Sequence, residues 1–69
     1  MKGILINFNE RPDVVLTNGG LLGGLHCGDC FNVLKDGKWA AVRLEFDEEW
    51  VLFEGKTIMP IPYGAEVEL

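Results

Sequence analysis

From Gly3 to Phe8 the chain reads GILINF, apolar at all but two positions, and then breaks into the polar run Asn9-Glu10-Arg11-Pro12-Asp13. Short apolar runs between turn formers predict strands, and no window sustains the i, i+3, i+4, i+7 spacing over the roughly ten residues a helix needs. Val14 to Thr17 is a second strand. Asn18-Gly19-Gly20-Leu21-Leu22-Gly23-Gly24 follows, and its glycines cost too much backbone entropy for a strand interior, so a mobile loop is expected. It has neither G-x-G-x-x-G spacing nor a following helix, which excludes a phosphate-cradling loop.

The clearest local signal is Asp36-Gly37-Lys38 between Cys30–Lys35 (CFNVLK) and Trp39–Phe46 (WAAVRLEF), the pattern of a β-hairpin. Alternation along the second arm places Ala40, Val42, Leu44 and Phe46 on one face, expected to be the core, and Trp39, Ala41, Arg43 and Glu45 on the other. Asp47-Glu48-Glu49 turns the chain into Trp50–Glu54, with Val51 and Phe53 expected inward. Gly55-Lys56 ends that strand. Thr57–Ile61 contains Pro60 and precedes Pro62, so it forms at most an edge strand. Pro62-Tyr63-Gly64 makes a tight turn into Ala65–Leu69, with Val67 and Leu69 inward and Glu66 and Glu68 outward.

These elements predict an all-β fold, a small SH3-like barrel of five or six short antiparallel strands, because closure removes the exposed edges of so small a sheet. An OB-like barrel is the alternative, for which the chain is short. No internal repeat or low-complexity segment interrupts residues 1–69, which are expected to form one domain. A chain of this size buries only roughly 60% of its unfolded surface, so the core is thin and a monomer or small homo-oligomer is expected.

Charge narrows the partners. Eleven acidic and six basic residues give a net charge of −5, which opposes the phosphate contacts on which nucleic-acid binders rely, so a nucleic-acid partner is disfavoured. Glu45, Asp47, Glu48 and Glu49 crowd one hairpin tip, where charge runs are normally solvated. No apolar run approaches the roughly 18 residues of a membrane helix, and Met1-Lys2-Gly3 leads into too short an apolar stretch for a signal peptide. With two cysteines, too few for a disulfide framework, this predicts a cytoplasmic protein with no membrane association.

Leu25-His26-Cys27-Gly28-Asp29-Cys30 concentrates the candidate chemistry. A structural zinc site needs four ligands in two separated pairs, and here there is one pair and one histidine in the whole chain. A thioredoxin-type dithiol needs a helix after the second thiol, whereas Phe31-Asn32-Val33-Leu34 is strand-like, and Asp29 disfavours a thiolate. The reading that fits is a bend at Gly28-Asp29, with Asp29 accepting backbone N–H bonds and Cys27 packed as a small apolar residue. No metal or cofactor is therefore expected. The chain has no serine, and its paired carboxylates sit at an exposed tip, so no enzyme activity is expected either.

Aromatic and arginine side chains dominate protein interfaces, which makes Trp39, Arg43, Glu45, Trp50 and Tyr63 the candidate binding residues for a protein partner. The competing role for an indole in so small a core is to cap an open end of it. The expected function is a small non-enzymatic protein-binding module or accessory protein. Two alternatives are an acidic inhibitor of a host defence nuclease or other nucleic-acid-binding protein, using Glu45–Glu49 with Glu66 and Glu68 as phosphate surrogates, and a nucleic-acid-binding small barrel.

The run LHCGDCFNVLKDGKWAAVRLEFDEEWVLFEG resembles the central motif of a family of small bacterial domains of unknown function, found in Firmicutes and often on mobile elements. The residues that carry the likeness are Leu25, Cys27 to Asp29, Asp36 to Trp39, Arg43 to Asp47 and Trp50, with GILINFN similar to the family's first strand. The family pattern has Arg-Tyr where this chain has Arg11-Pro12, and a shorter glycine-rich loop before Leu25. The resemblance implies the small β-barrel and one cysteine in the turn, at Cys27, with Cys30 a local substitution. It implies no reaction or ligand.

Overall fold

In a computed structural model describing residues 1–69 the chain forms seven strands and no helix. They are β1 (Lys2–Phe8), β2 (Arg11–Leu16), β3 (Cys30–Lys35), β4 (Lys38–Asp47), β5 (Glu49–Glu54), β6 (Thr57–Pro60) and β7 (Glu66–Glu68). All pair antiparallel in one sheet ordered β2-β1-β7-β3-β4-β5-β6. β2 and β6 do not pair, so the expected closed barrel is an open sheet. Its two ends nevertheless share one core: Leu5 and Val14 from β1 and β2 cluster with Phe31, Val33, Val42, Leu44 and Leu52 from β3, β4 and β5. The sheet therefore curls around one face.

Tight turns set the register. Asp36 and Gly37 both have positive φ (51° and 77°), the geometry of a type I′ hairpin, as the Asp-Gly pair predicts. Asn9 and Glu10 (φ 52° and 65°) make a second such turn, so β2 begins at Arg11, three residues before its predicted start. Pro12 is tolerated inside β2 because of its position. Phe8↔Arg11 closes the hairpin, which directs the nitrogen of Pro12 away from β1, where no ladder N–H is required.

That outward edge of β2 is covered by the glycine-rich segment expected to be mobile. The Pro12 and Val14 carbonyls accept from Leu25 and Leu22 N–H, Leu16 N–H donates to the Gly20 carbonyl, and the Leu16 carbonyl accepts from Gly19. The Val14 N–H donates to its neighbour, the Asp13 carboxylate. Asp13 Oδ1 also accepts from Gly23 N–H (3.1 Å) and Gly24 N–H (2.8 Å). Asp13 is the buried charged residue of the fold, 4% exposed, and every buried side-chain polar atom has a partner. Backbone groups on an edge strand must find partners or face water. The segment supplies them, and Leu25, brought with it, is fully packed in the core.

β7 holds the two halves together. Three residues long, it lies between β1 and β3, joining the β1–β2 hairpin to the β3–β6 meander, and places Val67 at 0% exposure. Burial of a side chain such as Val67 or Leu44 contributes about 1.5–3 kcal/mol. On the other side of β1, Gly3 lies close against β2, where an added methyl would run into the Val15 carbonyl and the Val14 side chain.

Four expected core positions differ. Ala40, Val42 and Leu44 are buried as predicted, but Phe46 is 54% exposed, because β4 is longer than β3 and carries it past the end of the core. In β5 the inward residue is Leu52, at 0% exposure, not Val51 and Phe53. The pairs Leu44↔Leu52 and Glu45↔Val51 put Val51 on the outer face, where it is covered by its neighbours. Leu69 is also partly exposed, 38%, tied by its N–H to the Met1 carbonyl rather than packed inward.

Candidate functional site

The turn LHCGDC has a defined geometry. Asp29 N–H donates to the His26 carbonyl (3.0 Å) and Gly28 has φ 89°, the value a type II turn requires at its third residue. Gly28 N–H then donates to the Leu44 carbonyl, and Leu44 N–H to the Asp29 carbonyl, so two residues oppose one. This is a G1-type β-bulge, which needs glycine at its first position. Asp29 Oδ2 accepts the His26 N–H at 2.8 Å, as expected of it. Cys27, expected to pack, is exposed instead, and so is Cys30. The His26 ring lies 3.9 Å from Asp29 Oδ2, with 72% of its side chain exposed. No three His, Cys, Asp or Glu side chains are grouped as a metal ligand set.

The five candidate binding residues do not converge. Trp39, Arg43 and Glu45 share the outer face of β4, but Trp50, directly opposite Phe46, lies on the other face and packs against the core. There its ring meets Phe46 edge-on, 5.0 Å between centroids, and Arg11 covers it, so Trp50 closes an open end of the core. Tyr63 sits in the turn after β6, tied to β1 through the hydrogen bond from Gly64 N–H to the Leu5 carbonyl. Partial burial raises its pKa above the ordinary 10.0.

What the outer face offers is a shallow open depression of about 500 Å³. Its floor is Asn32 and Ala41, direct cross-strand partners, and its walls include Cys30, Arg43, Phe53 and Glu68. The floor is low because two small side chains face each other. Arg43 lies over the Phe53 ring (5.3 Å) and donates from Nε to Glu45 at 2.6 Å. Along the same face Lys2 covers the exposed Trp39 ring at 5.8 Å and pairs with Glu68 at 3.9 Å. The depression thus mixes apolar floor, aromatic wall and charges of both signs.

Of its lining, Arg43 is among the residues expected to bind a partner, whereas Phe53, Asn32 and Cys30 are not. Phe53 belongs to the unbroken apolar run Trp50-Val51-Leu52-Phe53, where alternation has nothing to read. The missing signal was the turn: opposing Phe46 and Trp50 share a face, which sends Phe53 outward with Arg43.

A family model described as Domain of unknown function (DUF5348) matches residues 4–68. The chain belongs to the DUF5348 family. As a DUF5348 domain it is also similar to the crystal structure of a protein from Ruminococcus gnavus, at 31% identity and a TM-score of 0.83, with the whole of both chains covered. No curated protein matches the chain. The expected membership of a family of unknown function is met, and neither match carries an activity for DUF5348.

Proposed function

We propose that the chain is a small non-enzymatic binding module that takes a protein partner on the outer face of the sheet, around Ala41, Arg43 and Phe53. The observation that carries this reading is the depression floored by Asn32 and Ala41, beside an exposed Trp39 and an exposed Ile58 at 45% and 56%. Apolar and aromatic groups around an arginine are the composition of interface centres. Glu45 and Trp39 belong to this surface as its rim. Trp50 and Tyr63 leave the proposed contact set, since one caps the core and the other lies in the turn joined to β1.

The same proposal keeps the curled sheet as a relative of the SH3-like small barrel, and keeps the cytoplasm and a bacterial mobile element as the setting the family resemblance suggests. In the acidic-inhibitor alternative, Glu45–Glu49 and Glu66/Glu68 form one surface. Here Glu45 is engaged by Arg43 and Glu68 by Lys2, which weakens it.

The test is affinity capture with wild type, Arg43→Ala and Ala41→Arg, the last filling the depression. A partner retained by wild type and lost by both folded variants is the expected result. Equal retention by all three removes this face from consideration.

A further inference from the structure

We propose that Cys27 and Cys30 form a reversible dithiol–disulfide pair, oxidised by a small disulfide such as oxidised glutathione. Both thiols are free and exposed. They stand three residues apart on a turn held at four points: Asp29 to His26 through the backbone, His26 to the Asp29 carboxylate, and Gly28 and Asp29 to Leu44. A bond between residues so near in sequence needs the chain to bend sharply between them, and Gly28, at φ 89°, bends it there. Cys30 Sγ lies 3.6 Å from the Gly28 carbonyl oxygen, folded back over the turn that carries Cys27.

The chemistry is two thiol–disulfide exchanges. One cysteine thiolate attacks a sulfur of oxidised glutathione, whose S–S bond breaks, and one glutathione leaves as thiolate and takes up a proton. The second cysteine, deprotonated, attacks the protein sulfur of the mixed disulfide and expels the second glutathione. Two protein thiols lose two electrons and two protons, and one oxidised glutathione becomes two reduced molecules. A strand follows Cys30 in place of the helix N-terminus that activates oxidoreductase thiols, so the pair senses oxidation rather than catalysing it. In a reducing compartment it rests as the dithiol.

The full chain is equilibrated with mixtures of reduced and oxidised glutathione, quenched by alkylation and weighed intact. The expected product is a monomer two hydrogens lighter that resists alkylation and reverts with dithiothreitol. Cys27→Ser and Cys30→Ser stop at one bound glutathione. A wild-type chain that instead carries two glutathiones, or forms mainly linked dimers, overturns the proposal. Repeating the titration in concentrated urea isolates the role of the fold. The internal disulfide is expected to be favoured about tenfold more in the native chain, and an equal or smaller preference there also overturns it.

Discussion

The guanidinium of Arg11 stands 5.3 Å from the centre of the Trp50 ring, although β2 and β5 are five places apart in the sheet. At about 4.8 Å per strand a flat sheet would separate them by roughly 24 Å. The contact therefore measures the curl. Arg11 also donates from Nη2 to the Leu25 carbonyl at 2.8 Å, so one side chain ties β2, the glycine-rich segment and β5 together across the open seam. A double-mutant cycle of Arg11→Ala and Trp50→Ala, read by urea unfolding, is expected to show a coupling of about 0.5–1 kcal/mol. Strict additivity would mean that the seam is closed by other contacts.

Asp13 is expected to be the anchor of the glycine-rich segment. Asp13→Ala leaves the N–H groups of Val14, Gly23 and Gly24 without their acceptor, at a cost of about 1–3 kcal/mol. Hydrogen exchange should quicken at Gly23 and Gly24 in that variant. Asp13→Asn keeps an acceptor oxygen and should fall between the two. If Asp13→Ala exchanges like wild type, the carboxylate does not hold this segment.

At the LHCGDC turn Gly28 and Cys30 should respond oppositely to substitution. Gly28→Val forces a β-branched residue to φ 89° within the bulge and should cost about 1–3 kcal/mol. Cys30→Ser, at an exposed site, should stay within about 0.5 kcal/mol of wild type. Thermal melts of both variants check this, and comparable stabilities would remove the bulge from the account.

β7 should be indispensable despite its length. Deleting Glu66–Leu69 exposes the facing edges of β1 and β3 and removes Val67 from the core. The shortened chain is expected to lose cooperative unfolding and native chemical-shift dispersion. A truncated chain that still melts as one sharp transition would show that the hairpin docks without it.

Tyr63 gives the fold an alkaline limit. Partial burial raises its pKa above 10.0, so the unfolded chain loses the phenolic proton first as pH rises. Its contribution is present below pH 10.0 and is lost above it, because the folded state then holds more protons than the unfolded. Stability measured from pH 8 to 11 should fall at the top of that range, and Tyr63→Phe should flatten the fall. An unchanged profile in Tyr63→Phe would assign the alkaline limit to another group.

The all-β class, the Asp36-Gly37 hairpin, the inward row Ala40, Val42 and Leu44, and the turn at Gly28-Asp29 were legible in the residues alone. Each of these rests on interactions within a few residues: a φ preference, an alternating pattern, a side chain reaching its own backbone. The rest was settled by contacts between residues far apart in the chain. Strand order placed β7 between β1 and β3, the uncovered edge of β2 drew Asn18–Leu25 into an ordered cover, and the register across Glu48 turned Leu52 inward and Phe53 outward. Those outcomes depend on which distant backbone groups and side chains meet, and a run such as Trp50-Val51-Leu52-Phe53, apolar at every position, has two faces that are equally fit for burial until a neighbouring strand selects one.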